Sequence, residues 1–166
     1  MKISVRLLEK KYDKNSFDCG YSLLDDYLKK QARQDVDRDL SACFVLIDEA
    51  DVVNGYCTLS ANSIKRDELP ENLLKKLPPS YPDLPAVLLG RLAIDKRLQG
   101  KGYGEILLID ALKRCYEISE SLGTIAVIVD PIDENAQKFY DKYGFILLPT
   151  SKKMFLPMKT IKQLLT

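Results

Sequence analysis

The 166-residue sequence contains no histidine, and this absence narrows the chemistry open to the chain. Without imidazole there is no Ser-His-Asp or Cys-His triad, and most zinc and iron sites lose a principal ligand. The four cysteines, at positions 19, 43, 57 and 115, form no C-x-x-C pair. Each stands among apolar or small residues, which predicts buried free thiols in a reducing compartment. We therefore expect no metal site.

Long apolar runs are also missing. No segment is apolar enough over the length that a bilayer requires, and MKISVRLLEK is too short and too charged for a signal peptide. We expect a cytoplasmic protein with no membrane partner. A chain of this length with 46% apolar residues is most simply one globular domain, residues 1–166.

The net charge of +1 conceals an uneven distribution along the chain. Residues 1–11 carry +3, residues 138–166 carry +5, and the part between them carries −7. The basic ends are either a solvated face or a surface for a polyanion, and the second interpretation requires them to lie beside a ligand site.

Hydrophobic periodicity predicts an α/β domain with a mixed central sheet flanked by helices, in the order β-α-β-β-β-α-β-α-β-β. In its first half, KISVRLL alternates as a strand and residues 21–36 have helical spacing. ACFVLID and VVNGYCTLSANSI read as a hairpin. A proline-rich crossing follows over residues 69–85, with one short helix at Glu71–Leu77.

The second half begins with AVLLGRLAID, the most hydrophobic strand and hence the expected centre of the sheet. Apolar spacing predicts a helix from Lys101 to Leu122, ended by Gly123. TIAVIVD reads as a buried strand and ENAQKFYDKY as a helix ended by Gly144. FILLP and KKMFLPM read as a closing pair of strands.

Between the central strand and the long helix the chain reads RLQGKGYG, with three alternating glycines and two basic residues. A helix N-terminus carries unpartnered N–H groups and partial positive charge, and glycines there let an anion come close. The alternative is a glycine turn that is packed tightly for structural reasons. The spacing fits neither a P-loop nor a dinucleotide fingerprint, because the hydroxyl after Lys101 is missing and the unit comes late in the chain.

RLQGKG after a central strand resembles the acyl-CoA motif R-x-x-G-x-G of the GCN5-related N-acetyltransferase (GNAT) family. The resemblance implies the GNAT fold, acetyl-CoA as co-substrate, a pyrophosphate on the glycine turn and a pantetheine arm along the preceding strand. By resemblance, the strand residues are Leu92, Ala93 and Ile94. The turn residues are Arg97, Leu98, Gln99, Gly100, Lys101, Gly102, Tyr103 and Gly104.

The family's second motif, A-x-x-x-Y-x-x-x-G-F, is present at Ala136, Tyr140, Gly144 and Phe145. In this register Tyr140 corresponds to the tyrosine that the family commonly uses as general acid. A phenol with a pKa of about 10 keeps its proton at neutral pH and can protonate the leaving thiolate. The alternative role for Tyr140 is a packed aromatic beside Phe139. Where the family often has Asn, three residues before Ala136, this chain has Asp133, which we also assign to the cofactor site.

Five further segments are spread over most of the chain: FDCGYSLLDDYL, NGYCTLS, LLGRLAID, LLIDALKRCY and FYDKYGF. They resemble one GNAT branch, the acetyltransferase toxins of bacterial toxin–antitoxin pairs. This resemblance implies acetylation of the α-amine of aminoacyl-tRNA, a ribbon-helix-helix antitoxin as partner, and a homodimer. FDCG and GRLAID are not required for binding acetyl-CoA, so they are specific to the branch.

Other functions stay open on the sequence alone. The acceptor is either aminoacyl-tRNA or a small-molecule or protein amine, and a non-catalytic acyl-CoA-binding domain is a further alternative. The Tyr140 register favours an enzyme. The nearly neutral charge does not favour a tRNA ligand, because residues 25–39 carry four basic side chains against five acidic ones.

Overall fold

The computed structural model describes residues Met1–Thr166. The strands are β1 (Ser4–Leu7), β2 (Ala42–Ile47), β3 (Val53–Lys65), β4 (Asp83–Ile94), β5 (Ala126–Val129), β6 (Ile146–Leu147) and β7 (Met154–Pro157). The helices are α1 (Ser22–Asp26), α2 (Ala32–Asp37), α3 (Glu71–Leu74), α4 (Tyr103–Ser119), α5 (Glu134–Lys142) and α6 (Met158–Leu165). A π-helical turn, Tyr27–Gln31, joins α1 to α2.

The seven strands form one mixed sheet in the order β1-β2-β3-β4-β5-β7-β6. β4 pairs in parallel with β5, while β1–β2, β2–β3, β5–β7 and β6–β7 are antiparallel. The predicted mixed α/β fold and the central place of the AVLLGRLAID strand are therefore confirmed.

The chain divides into two compact units. The first comprises Met1–Ser60 with Gly90–Ala111, and the second comprises Ala61–Leu89 with Leu112–Thr166. Strands β3 and β4 and helix α4 each contribute residues to both units.

The core of the first unit is built around Tyr56, which is completely buried on β3. Its ring stacks on that of Tyr27 at 6.2 Å between centroids and meets Phe17 edge-on at 5.7 Å. The Tyr56 hydroxyl donates a hydrogen bond to the Leu24 carbonyl at 2.8 Å, so burial leaves no polar atom unpaired there. Leu24, Leu28 and Ala32 recur every four residues and are the buried face of this helical segment.

The π-helical turn decides which side chains meet on the outer part of that segment. The Ala32 N–H donates to the Tyr27 carbonyl, five residues earlier, so the turn holds one residue more than an α-helical turn. In a regular helix, the seventh residue after Tyr27 would lie two turns along on the same face. Because the π-helical turn holds one extra residue, Asp35, the eighth residue after Tyr27, lies at that place instead. The Tyr27 hydroxyl donates to Asp35 Oδ2 at 2.7 Å as a result.

In the second unit, residues of β3, β4, β5 and β7 form a buried cluster that includes Ile64, Leu84, Ile128 and Phe155. The proline-rich crossing is held by Arg66, whose Nη1 donates to the Pro78 carbonyl at 2.7 Å. Its Nη2 reaches the carbonyls of Leu74 and Leu77 at 3.5 and 3.4 Å. The Leu74 carbonyl also accepts from the Leu77 N–H at 3.1 Å.

Two predicted helices need correction, and one helix was missed. The helix expected at Glu71–Leu77 ends at Leu74, and the Arg66 guanidinium binds the Leu77 and Pro78 carbonyls of the chain that follows. Helix α4 ends at Ser119, and Gly123, expected as its cap, does not have the positive φ of a glycine cap. Helix α6 was not predicted, because the sequence analysis assigned no element after the strand KKMFLPM. Gly144 does end α5, with φ 94°.

All four cysteines are buried free thiols, as predicted. Burial raises the pKa of the Cys43 and Cys115 thiols to about 12, so neither provides a thiolate at neutral pH. The structure contains no helix with the length and apolar character that a membrane span requires.

Gly55 on β3 provides a test of the close approach between β3 and the end of β4. A Cβ at this position would lie 2.7 Å from Ile94 Cδ1 and 3.1 Å from the Ala93 carbonyl oxygen. We expect Gly55→Ala to lower the free energy of unfolding by about 1–3 kcal/mol, because that backbone must shift. Urea denaturation measures the change. Gly123→Ala is the matched control, since no atom lies within 4 Å of its Cβ position, and equal losses in both variants would refute the packing argument.

Candidate active site

The candidate site begins where β4 ends and the chain turns into α4. Leu92, Ala93 and Ile94 are the last residues of β4, and a 3-10 turn at Lys96–Leu98 follows. Gly100 and Gly102 have φ of 76° and 89°, in the left-handed region that glycine adopts without strain. Tyr103 and Gly104 are then the first residues of the 17-residue helix α4.

The two left-handed glycines are not there for tight packing. A Cβ built on Gly100 or on Gly102 would have no other atom within 4 Å, so the space beside the turn is open. The first N–H groups of α4 have no intrahelical acceptor, and its dipole adds partial positive charge. An open turn at a helix N-terminus suits a phosphate or pyrophosphate, and it decides against the packing alternative.

The two predicted cations of the turn differ in their surroundings. Lys101 is exposed and makes no ion pair. Arg97 instead donates from Nε to Asp95 Oδ1 at 2.9 Å and from Nη2 to Asn54 Oδ1 at 3.4 Å. The hydrogen bond with Asp95 raises the pKa of Arg97. Lys101 is therefore the cation of the turn whose charge is not offset by a paired carboxylate.

Asp95 is the buried anchor of the turn, with 2% of its surface exposed. Its Oδ1 also accepts from the Arg97 N–H at 3.0 Å, and its Oδ2 accepts from the Asp18 N–H at 3.1 Å. Burial alone would raise the pKa of this carboxyl, but the hydrogen bonds from Arg97 and from the Asp18 N–H hold it below its usual value.

Gln99 is a second link between the turn and the FDCG segment. Its Nε2 donates to the carbonyls of Cys19 and Ile94 at 2.9 and 2.8 Å, which uses both amide protons inside the protein. The Cys19 N–H in turn donates to Asp25 Oδ1 on α1 at 2.9 Å. The motif predicts that Gln99 contacts a cofactor, whereas the structure gives its side chain this internal role.

Sequence reasoning missed Asp95 and the backbone of Asp18 and Cys19. FDCG is a motif that acetyl-CoA binding does not require, and the structure explains it as the segment that the turn holds in place. The available signal was an acidic residue directly after the most hydrophobic strand, since a carboxylate there must find buried donors.

The remaining predicted residues lie on α5, in the second unit. Asp133 caps this helix, because its Oδ1 accepts from the Ala136 N–H at 2.8 Å. Asn and Asp are equivalent in that role, which accounts for Asp133 where the family often has Asn. Tyr140 is buried, and its ring contacts Phe139 at 5.3 Å and Phe145 at 5.2 Å between centroids. Leu92–Ile94 and the glycine turn belong to the first unit.

Substitution of Asp95 tests whether its carboxylate anchors the turn. We expect Asp95→Asn to lower the free energy of unfolding by about 2–3 kcal/mol at pH 7, because charge-assisted hydrogen bonds to buried donors are lost. A folded-state pKa below the unfolded one gives stability that is present above about pH 4 and lost as the pH falls through the folded value. Below pH 4, the free energy of unfolding of Asp95→Asn should therefore depend less on pH than that of the wild type. Urea denaturation at several pH values measures both. Asp26→Asn, which breaks only an exposed pair with Lys30, should have little effect.

Comparison with known proteins agrees with this geometry. The family model of the acetyltransferase (GNAT) domain matches residues 39–147, more than half of the chain. A Mycobacterium tuberculosis protein named tRNA-acetylating toxin is 34% identical over 154 residues, which cover 92% of this chain and 90% of that protein.

Two solved structures are similar over 99% of this chain. AtaT complexed with acetyl-methionyl-tRNAfMet is 31% identical, with a TM-score of 0.92 and all of that chain covered (100%). A Tyr-to-Phe mutant of the AtaT toxin, bound to the C-terminus of the antitoxin AtaR and acetyl-CoA, is 28% identical, with a TM-score of 0.84 and 98% covered. By its family model and by its identity to these relatives, the chain belongs to the GNAT acetyltransferase family.

Proposed function

We propose that this chain is a toxin that uses acetyl-CoA to acetylate the α-amine of aminoacyl-tRNA and so inhibits translation. The observation that carries the proposal is the likeness to AtaT complexed with acetyl-methionyl-tRNAfMet over 99% of the chain at a TM-score of 0.92. The 34% identity to a tRNA-acetylating toxin supports the same substrate. Because both likenesses extend over nearly the whole chain, we treat residues 1–166 as a single N-acetyltransferase domain.

Acetyl-CoA supplies a thioester whose carbonyl carbon an amine can attack. In the proposal, backbone groups of Leu92, Ala93 and Ile94 bind the pantetheine arm and polarise that carbonyl. The pyrophosphate binds the turn from Arg97 to Gly104, and the α5 N-terminus with Asp133 and Ala136 adds to the cofactor site. The open space beside the left-handed glycines and the unpaired charge of Lys101 support this assignment.

Tyr140 is proposed as the general acid. Its hydroxyl would donate the proton that the departing sulfur takes up when the new C–N bond replaces the C–S bond. The contacts with Phe139 and Phe145 support the role, since they fix the orientation of the phenol ring. The acceptor amine must enter as the free base, and we assign no side chain to remove its proton.

The charge of the C-terminal part supports an RNA substrate. Its six lysines are all exposed, at Lys138, Lys142, Lys152, Lys153, Lys159 and Lys162. Lysines in such numbers supply the positive charge that a protein needs to neutralise RNA phosphates.

The proposal includes a ribbon-helix-helix antitoxin and a homodimer as partners, and the cytoplasm as location. The similarity to AtaT, which has been solved with the C-terminus of AtaR, supports an antitoxin. Both substrates of the proposed reaction are found in the cytoplasm, and this supports the location.

Transfer of label from acetyl-CoA to total aminoacyl-tRNA tests the acceptor and the acid together. We expect the wild type to label the tRNA fraction and Tyr140→Phe to lower kcat by about 10²–10⁴, because the proton donor is removed. Tyr143→Phe is the matched control, since this neighbouring tyrosine is out of register with the motif. It should keep nearly full activity.

Two results would contradict parts of the proposal. Label on small amines or proteins with none on tRNA would keep the acetyltransferase and reject the tRNA acceptor. Full turnover by Tyr140→Phe with an unchanged pH profile would reject the acid role.

Substitution of Lys101 tests whether the glycine turn binds acetyl-CoA. We expect Lys101→Met to raise the Kd for acetyl-CoA roughly fivefold at low salt, about 1 kcal/mol, because an unpaired charge beside the pyrophosphate is lost. High salt should reduce this difference in Kd between variant and wild type, because salt screens the charge of Lys101. Isothermal titration calorimetry measures Kd at low and at high salt. Lys96→Met removes the same charge from the same turn, but Lys96 already pairs with Asp18 at 3.5 Å, so the expected change is less than twofold. Equal increases in Kd for Lys101→Met and Lys96→Met would mean that only net charge matters, and would contradict the specific role of Lys101.

A further inference from the structure

Asn54 is a buried polar residue on β3 to which the proposed reaction gives no role. Only 3% of its surface is exposed, although asparagine is mostly found at protein surfaces. It lies at an irregularity in the pairing of β2 with β3, where Leu46 pairs with Gly55 but Ile47 pairs with Val53. Asn54 is therefore the extra residue of a β-bulge, a feature that redirects a side chain out of the regular alternation of a strand.

The hydrogen bonds of the Asn54 amide fix its orientation. Its Nδ2 donates to Asp48 Oδ2 and to the Val52 carbonyl, both at 3.1 Å, so both amide protons are used. Its Oδ1 accepts from Arg97 Nη2 at 3.4 Å. Rotation of the amide by half a turn would place the oxygen against two acceptors and the nitrogen against a cation, so only one orientation satisfies these groups.

Asp48 is fixed in turn by the loop between β2 and β3. Its Oδ1 accepts from the N–H groups of Ala50 and Val52 at 2.9 and 3.1 Å. Burial would raise the pKa of this carboxyl, but its hydrogen bonds, that from Asn54 first, hold it below the usual value, and the charge of Arg97 adds to their effect. Asp48 is thus the charged end of a chain of polar contacts that leads from the hairpin loop through Asn54 to Arg97.

The main chain of Asn54 holds the same region at a second point. Its carbonyl accepts from the Asp95 N–H at 2.9 Å. The Asp95 carboxylate accepts from Nε of Arg97, and the Arg97 guanidinium returns to the Asn54 side chain. These three residues therefore form a closed ring of hydrogen bonds directly before the glycine turn.

The glycine turn depends on restraints of this kind because it has little packing of its own. No atom lies within 4 Å of a Cβ built on Gly100 or on Gly102, and glycine has the greatest backbone freedom of any residue. The turn is held at its ends, by α4 on one side and by the hydrogen bonds of Arg97 and Gln99 on the other. A ligand site whose donors are already held in place loses less conformational freedom when its ligand binds.

We infer that Asn54 and Asp48 are positioning residues for the acetyl-CoA site, because they hold the Arg97 guanidinium and, through it, the backbone of the glycine turn. The inference rests on the proposed function for the place where the cofactor binds, and it adds the β-bulge as the element that fixes this place. Neither residue contacts the cofactor in this arrangement. Since the bond between Arg97 and Asn54 is long, the expected effects on affinity are severalfold.

Isothermal titration calorimetry with acetyl-CoA tests the positioning role without any acceptor. We expect Asn54→Ala to raise Kd about fivefold at both low and high salt, because the restraint on Arg97 is lost and no charge is removed. This salt independence distinguishes it from Lys101→Met, whose effect salt screens. Asn62→Ala is the matched control on the same strand, since this asparagine is exposed, accepts from the Ser63 N–H and should change Kd less than twofold. An unchanged Kd in Asn54→Ala, or an increase that high salt abolishes, would overturn the inference.

A double-mutant cycle tests whether Asn54 acts through Arg97. We expect Arg97→Met to raise Kd about tenfold, and Asn54→Ala to add less than twofold in that background, because the group that it holds is gone. The Arg97 side chain is 59% exposed, so its substitution leaves no buried cavity. Independent effects, which would multiply to about fiftyfold in the double variant, would overturn the inference.

Kinetics separate positioning from a loss of folded protein. In Asn54→Ala, KM for acetyl-CoA should rise about fivefold while kcat stays within twofold, since the turn is assigned to the pyrophosphate and not to the reacting carbonyl. A fall in kcat at unchanged KM would mean less active protein and would overturn the inference.

Failure of the inference and failure of the proposed function give different results. An unchanged Kd in Lys101→Met would reject the proposed cofactor turn, whereas an unchanged Kd in Asn54→Ala alone would reject only the role of Asn54. If the wild type does not acetylate aminoacyl-tRNA, the proposed acceptor is wrong, and the titrations with acetyl-CoA still decide whether Asn54 positions the turn.

Discussion

The buried carboxylate of Asp95 is the interaction on which the first unit's ligand site depends. It follows directly after β4 and accepts hydrogen bonds from the turn on one side and from the Asp18 N–H on the other. A buried charge without these donors would be very costly, so the chain on both sides has to adopt the geometry that supplies them. Gln99 repeats the arrangement with a neutral amide. The position of the glycine turn is thus determined by polar pairing as well as by the apolar core.

This arrangement divides the work between side chains and backbone. The side chains of Asp95, Arg97 and Gln99 are used within the protein, which leaves the backbone of the glycine turn and the ammonium group of Lys101 for a ligand. A backbone site at a helix N-terminus is rigid and needs no side chain of special reactivity. It is therefore a suitable way for a chain without histidine to bind a highly charged co-substrate.

The elements with long, regular patterns could be predicted from the sequence. The spacing of apolar residues in α4 and the hydrophobic run of β4 indicated both elements, and the motif indicated the glycine turn. Helix α6 was missed because it follows Pro157 without a polar cap and lasts only eight residues. The π-helical turn has no sequence signal, since one extra residue does not disturb the spacing of Leu24, Leu28 and Ala32. One partner of Asp95, the Asp18 N–H, comes from 77 positions away, and no local pattern contains such a contact.

The π-helical turn also determines where this segment can lose a residue. Loss of one residue between Tyr27 and Gln31 would turn it into a regular α-helical turn, because the turn holds one residue more than a regular one. Ala32 would then stay in the core and Asp35 would stay beside Tyr27. Loss of one residue between Ala32 and Asp35 would instead rotate Asp35 by about 100° about the helix axis, away from Tyr27. The π-helical turn is therefore the place in this segment where a single-residue deletion does least damage to the core and to the polar face.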